Sequence, residues 1–127
     1  MREVLFRGKS KETGKWLKGY YVCFEDGEHY MFLKNPMGVK DSVVLWCEVD
    51  PESIGQWTGL VDKNGVKIFE WDIGRDIDGK FLICWNEEKA AFVMVLQEYP
   101  YETLYLEEMW EDTEVIGNIH DEKAVEE

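Results

Sequence analysis

A mainly β fold, an all-β barrel or sandwich, is predicted by three observations. Turn signals recur roughly every 10–15 residues, the runs between them are rich in β-branched and aromatic side chains, and one turn is Asn64-Gly65 between two apolar runs. The first candidate strand covers residues 3–7 and stops before Thr13-Gly14. The second covers 16–24 and stops at Asp26-Gly27, and the third covers 30–33, ahead of the turn Asn35-Pro36-Met37-Gly38. A fourth, 43–49, meets Asp50-Pro51, where proline cannot donate to a ladder. Strands at 57–61 and 66–69 flank Asn64-Gly65, and those at 81–85 and 92–96 lie on either side of Asn86-Glu87-Glu88, with Asp78-Gly79 before them.

Asn-Gly readily supplies the two positive φ angles of a type I′ turn. A two-residue loop then pairs Lys63 with Val66, Asp62 with Lys67, Val61 with Ile68 and Leu60 with Phe69. Such cross-strand pairs contribute about 0.2–1 kcal/mol each, and here they make the ribbon apolar on both faces. In residues 81–85, Phe81, Ile83 and Trp85 share one face while Leu82 and Cys84 share the other, so this strand is expected at the centre of a sheet. From 101 to 112, Tyr101, Leu104, Tyr105 and Met109 fall at helical spacing with Thr103 as N-cap, which predicts one short helix. A strand reading places Leu104, Leu106 and Trp110 on one side and stays open. The run after Thr113 is a closing strand, and 121–127 an acidic, solvated tail.

At 127 residues the chain is expected to be a single domain, with an N-terminal hairpin half at 1–53, a C-terminal barrel half at 54–123 and a joint at Asp50-Pro51-Glu52. The three cysteines, Cys23, Cys47 and Cys84, each lie in an apolar run without C-x-x-C spacing, which predicts buried thiols in a reducing compartment. The N-terminus lacks an apolar signal region, and the longest apolar run, residues 90–96, is far shorter than the roughly 20 residues that span a bilayer. A cytoplasmic protein with no membrane partner is expected.

The net charge of −13 is unevenly placed. Residues 1–18 hold six Lys or Arg against Glu3 and Glu12, a balance of +4, whereas residues 98–127 hold eleven Asp or Glu against Lys123, a balance of −10. Opposite fields at the two ends attract within a subunit or between neighbours. Arg2, Arg7 and Lys18 on one side, and Glu107, Glu108, Glu111 and Asp112 on the other, are the candidate interaction residues.

Reactive constellations are weak. Cys23, His29, Cys47, Cys84 and His120 lack the close pairs of a zinc site, and Ser10, Ser42 and Ser53 lack a nucleophile setting. Carboxylate pairs such as Glu70 with Asp72 and Glu87 with Glu88 are what 27 acids produce by chance. Gly55, Gly59, Gly65 and Gly74 match no phosphate-cradling spacing. No catalytic residue, metal or cofactor is expected. Six tryptophans, beside Arg7, Lys15 and Lys18, hint at base stacking, but filling a small core or anchoring subunit contacts is the stronger reading. Because the overall charge repels a phosphate backbone, nucleic acid is not an expected partner.

Three segments carry a family resemblance: the opening MREVLFRGKSKETGKW, the central IGQWTGLVDKNGVKIFEWDI, and EVIGNIHD with Gly117 and Asn118. Together they resemble the YopX family of phage and prophage proteins, in the family's order. The central pattern, G-Q-x-T-G-L-x-D-x-N-G-x-x-I-x-E-G-D-I, is matched by Gly55, Gln56, Thr58, Gly59, Leu60, Asp62, Asn64, Gly65, Ile68, Glu70, Asp72 and Ile73. Trp71 stands where the pattern has glycine, which points to an unusual backbone or a close contact at that corner. The resemblance implies a small, partly open SH3-like barrel or roll, an oligomer and a phage-derived origin, and it implies no established reaction. The expected function is a non-enzymatic, self-associating protein-binding module, with a host or phage protein as a further partner. The alternative is an acidic inhibitor that mimics nucleic-acid phosphates toward a host enzyme.

Overall fold

The structure is a computed structural model that describes residues 3–33, 46–96 and 103–121. The chain is mainly β, with two antiparallel sheets that do not close into a barrel and one short α-helix. The strands fall into two compact units, Met1–Gln56 and Trp57–Glu127.

In the first unit, β1 (Phe6–Lys9), β2 (Trp16–Cys23), β3 (His29–Leu33) and β4 (Trp46–Glu48) lie in the order β4-β3-β2-β1. The first residues of β5 (Gly55–Val61) pair beyond β1, Gly55 with Arg7 and Gln56 with Phe6. The Thr13-Gly14 turn closes with Gly14 N donating to Ser10 O at 2.8 Å, and the Asp26-Gly27 turn with Gly27 N donating to Phe24 O at 2.9 Å. One face, through Gly8, Gly19, Met31 and Val49, is buried. The expected joint is the 3-10 turn Pro51–Ser53, in which the Asp50 carboxylate accepts from Glu52 N at 3.1 Å. Ser53 Oγ donates to Asp50 O at 2.6 Å and accepts from Lys9 N at 2.7 Å, tying the turn to β1. The predicted turn at Asn35 and the start of the strand at 43–49 lie outside the described residues.

In the second unit, the rest of β5 pairs with β6 (Lys67–Phe69). Beside that hairpin, β7 (Asp72–Asp76), β8 (Gly79–Asn86), β9 (Ala91–Leu96), β10 (Thr103–Tyr105) and β11 (Glu114–Asn118) form a sheet in the order β10-β9-β8-β7-β11. β8 is central, as its two apolar faces predict. Ile68, Phe81, Ile83, Met94 and Leu106 are the buried core of this unit, with Leu60, Leu104, Trp110 and Val115 packed on them. Ile68 is fully buried, so Ile68→Val is expected to lower stability by about 0.5–1.5 kcal/mol. An unchanged urea midpoint would place this hairpin outside the core.

Four expectations are corrected. Residues 103–105 are strand and only Leu106–Met109 is α-helix, followed by a 3-10 turn at Trp110–Asp112. Leu104 pairs with Met94 and Leu106 enters the core, so β-pairing and burial overrode the helical spacing. The helix N-cap is Tyr105, with no side-chain cap, and not Thr103; Tyr101 lies outside the described residues. Cys23 is exposed at the end of β2, and Cys47 and Cys84 are half-buried free thiols. The tryptophans are not among the fully buried side chains either: Trp46 and Trp85 are 54% and 44% exposed, Trp110 is half-buried against the core, and the large buried side chains include Phe69, Phe81, Met31 and Met94. The β7 strand, with its polar sequence DIGRD, was not anticipated.

Candidate functional site

The Asn64-Gly65 hairpin is built differently from the two-residue loop that its sequence suggests. Gly65 has φ +82° while Asn64 keeps a negative φ. Gly65 N donates to Asp62 O at 3.0 Å and Asp62 N to Val66 O at 2.8 Å, so the loop is three residues, Lys63 to Gly65. The extra residue shifts the register by one: Val61 pairs with Lys67 and not with Ile68, and every pair changes face. A second irregularity follows at Gly59, φ +88°, and moves the register two residues further, setting Trp57 opposite Phe69. Thr58 fixes that bulge by donating from Oγ1 to Ile68 O at 2.8 Å and accepting from Leu60 N at 3.2 Å.

The reason for the longer loop is Asp62, which is 2% exposed. Its Oδ1 accepts from Asn64 N at 2.8 Å and Val66 N at 2.9 Å, and its Oδ2 accepts from Val115 N at 2.9 Å. Lys63 N adds a bond to Thr113 O at 3.0 Å. One carboxylate thus closes the turn and fastens it to β11. Burial would raise its pKa, but the amides of Val115, Val66 and Asn64, with the charge of Lys63, outweigh it and hold the carboxyl below the usual carboxylate range.

The corner between β6 and β7 carries the departure noted in the sequence. Trp71 has φ +74°, the left-handed region that a glycine takes without strain and that costs an ordinary residue about 1–2 kcal/mol. It is held there because Trp71 N donates to Ile83 O at 2.7 Å and Trp71 O accepts from Ile119 N at 3.1 Å. Buried Asp72 closes the corner by accepting from Phe69 N at 2.8 Å. Burial first, and then the charge of neighbouring Glu70, push the Cys84 thiol up. Gly117 follows a register shift in β11, and Asn118 holds the turn after β11 by accepting from His120 N at 2.9 Å and donating to Asp121 Oδ2 at 2.8 Å.

The first unit presents a different kind of surface. Register partners stand side by side on one face of a sheet: Arg7 with Lys18, Lys9 with Trp16, Tyr20 with Phe32 and Trp46, and Val22 with Tyr30 and Glu48. The Arg7 guanidinium lies 4.9 Å and the Lys9 ammonium 5.2 Å from the centre of the Trp16 ring. On the β3–β4 side the rings run continuously, Phe24 to Tyr30 at 5.3 Å, Tyr30 to Trp46 at 4.6 Å and Trp46 to Phe32 at 6.4 Å. Tyr20 is 50% exposed and Phe24 43%. The Tyr30 hydroxyl donates to Glu28, and that bond is the main reason its pKa is pushed up to about 12, leaving the ring neutral. The face is therefore cationic at β1–β2 and aromatic, with Glu28 and Glu48, at β3–β4.

The second unit is acidic. Residues 1–56 hold eight Lys or Arg against nine Asp or Glu and residues 57–127 hold six against eighteen, so −12 of the −13 lies in the second. An open cleft of about 510 Å³ is lined by Asp76, Asp78, Glu111, Asp112 and Glu114 against Lys63 and Arg75, with Ile77 at its edge. Arg75 pairs with Glu114 at 3.2 Å across β7 and β11. Glu107, Glu108, Glu111 and Asp112 are exposed. Among the described residues no group of three His, Cys, Asp or Glu side chains could hold a metal ion, and no helix is long and apolar enough to cross a membrane.

The family model described as YopX protein matches residues 5–124. The chain belongs to the YopX family. No curated protein shows significant similarity to it. In this YopX chain the signature residues Thr58, Gly59, Asp62, Gly65 and Asp72 act on the backbone, setting a bulge, a turn and a corner, while Gly55 and Ile68 are buried and Gln56, Leu60 and Glu70 half-buried. Of the candidate interaction residues, Arg7 and Lys18 share the cationic face and Glu111 and Asp112 share the cleft. Arg2 and most of the tail at 121–127 lie outside the described residues. Lys9, Trp16, Tyr20, Phe32 and Trp46 were not singled out as a surface, although strict alternation along β2 puts Trp16, Lys18 and Tyr20 on one side. Ile77, fully exposed in the turn between β7 and β8, was missed too.

Proposed function

We propose that this YopX-family chain is a non-enzymatic module of phage origin that self-associates, and engages a host or phage protein, in the bacterial cytoplasm. The observation that carries the reading is the open face of the first unit, where Tyr20, Phe24 and Trp46 are 43–54% exposed beside Arg7, Lys9 and Lys18. Rigid aromatic side chains and arginine are the groups that anchor protein contacts. The buried acids of the signature support the non-enzymatic reading, since both oxygens of Asp62 already accept backbone amides. Apolar contact supplies most of the affinity in this reading and charge fixes orientation. Assembly is therefore expected to persist at 1 M salt, where screening shortens to about 3 Å, with slower association. Light scattering that shows a monomer at tens of micromolar in low salt would overturn self-association.

A second reading, an acidic inhibitor that mimics phosphates, is favoured by one observation. Glu107, Glu108, Glu111 and Asp112 are exposed, and among the described residues none takes part in an ion pair. Competition separates the readings. The mimic displaces DNA from a host DNA-binding enzyme and loses that effect at about 0.5 M salt, whereas the assembly module does not compete.

A further inference from the structure

We infer that the cationic aromatic face of one copy receives the turn between β7 and β8, Asp76-Ile77-Asp78-Gly79, of a second copy. The inference rests on the self-association proposed above and names the two surfaces that meet. Three features of the turn point to it. Ile77 is 100% exposed, the most exposed large apolar side chain among the described residues, in a position where turns ordinarily carry Gly, Asn, Asp or Ser. It is flanked by two carboxylates, and the Asp78 amide donates to Asp76 Oδ1 at 2.8 Å, which stiffens the tip. Asp76 and Glu114 sit in one cleft with Glu111 and Asp112, so the ground behind the tip is acidic as well.

The receiving face has the complementary order. Arg7 and Lys9 lie over the Trp16 ring and Lys18 stands beside Arg7, and the neighbouring ring of Tyr20, 50% exposed, offers apolar surface for Ile77. A short acidic tip reaches this cationic end alone. A nucleic-acid strand laid across the same sheet would carry phosphates on to Tyr30 and Trp46, where Glu28 and Glu48 oppose them. The two surfaces differ, so each copy donates one turn and receives one, and a reciprocal pair or a closed ring satisfies both.

Sedimentation velocity in low salt tests the contact with Ile77→Ser, Asp78→Lys, Lys18→Glu and the double variant Lys18→Glu/Asp78→Lys. Ile77 and Asp78 are exposed in the turn and Lys18 on the face, so melting temperatures are expected to stay near that of the parent chain. Each single variant is expected to weaken assembly by roughly tenfold, and the double variant to recover most of it. Asp78→Lys is the decisive arm: it makes the chain less negative, so general repulsion predicts tighter assembly and the named contact predicts weaker. Unchanged assembly in all four variants would overturn this contact and leave self-association standing. A monomeric parent chain would overturn both. Saturable binding of fluorescein-labelled oligo(dT), lost in Lys18→Glu, would assign the face to single-stranded nucleic acid instead and overturn the proposal.

Discussion

Replacing Gly19 by alanine is expected to unfold or severely loosen the first unit, although it adds a single methyl group. A Cβ at this position would lie 2.1 Å from Phe32 O, 2.9 Å from Phe32 C and 3.1 Å from Leu33 Cα. All three are backbone atoms of β3, so no rotamer change relieves the clash; β2 and β3 must separate around the Gly19 and Leu33 pair. Overpacking against mobile side chains costs about 1–3 kcal/mol, and a rigid neighbour places this substitution at or above the top of that range. Gly8→Ala is the matched control. Its Cβ would meet Met31 Cε at 3.3 Å, the tip of a flexible side chain on the same buried face, and a loss under about 1 kcal/mol is expected. Guanidinium titration of the two variants checks the contrast, and equal midpoints would mean that the β2–β3 ladder is not as close as described. The open aromatic face depends on this ladder, so Gly19→Ala is also expected to abolish any assembly that uses Trp16, Tyr20 and Trp46.

How far the sequence could be read depended on whether a feature was local or set by distant residues. Alternation and turn chemistry are local, and they placed β2, β3, β8 and β9 within two residues of where they lie. The Asn64-Gly65 register failed because a residue outside the dipeptide decides it. Asp62 accepts the amides of Asn64 and Val66 and so stabilises a three-residue loop, and its third donor, Val115, is 53 positions away. The predicted short helix is present but begins only at Leu106, for a related reason: Leu104 is drawn into strand pairing with Met94, a contact that no window of local periodicity contains. At Trp71 the comparison with the family pattern was informative. A position that favours glycine has a left-handed backbone here, and two hydrogen bonds, one to Ile83 in β8 and one to Ile119 just past β11, hold the tryptophan in it. The interaction residues were legible as charge but not as surface. Joining Lys9 to Trp16, or Tyr20 to Phe32 and Trp46, requires the register of three hairpins, and one of the intervening loops lies outside the described residues.

Asp62→Ala is expected to be the most damaging polar substitution in the second unit. Removal of the carboxylate, on a residue that is 2% exposed, leaves the amides of Asn64, Val66 and Val115 without their acceptor. A buried donor left unsatisfied costs about 1–3 kcal/mol; Asn64 and Val66 are exposed and water can reach their amides, so a loss of about 2–3 kcal/mol is expected, most of it from Val115 and the opened turn. Asp62→Asn separates shape from charge. Its carbonyl oxygen can still accept from two amides, but its NH2 group then faces the Val115 donor, so the variant is expected to fall between the parent chain and Asp62→Ala. The sign of the pH dependence follows from the depressed pKa. In the unfolded chain the Asp62 carboxyl titrates near about 4, and in the folded chain below that value. Its contribution to stability is therefore complete above the unfolded pKa and is lost as pH falls through the folded one. The parent chain should lose stability on acidification below about pH 4, and Asp62→Asn should lose less over the same interval because its side chain does not titrate. Urea midpoints from neutral pH down to the acid limit of folding measure both slopes. Parallel curves would show that the carboxylate is not held by these amides, and that the turn is fastened to β11 by the Lys63 to Thr113 backbone bond alone.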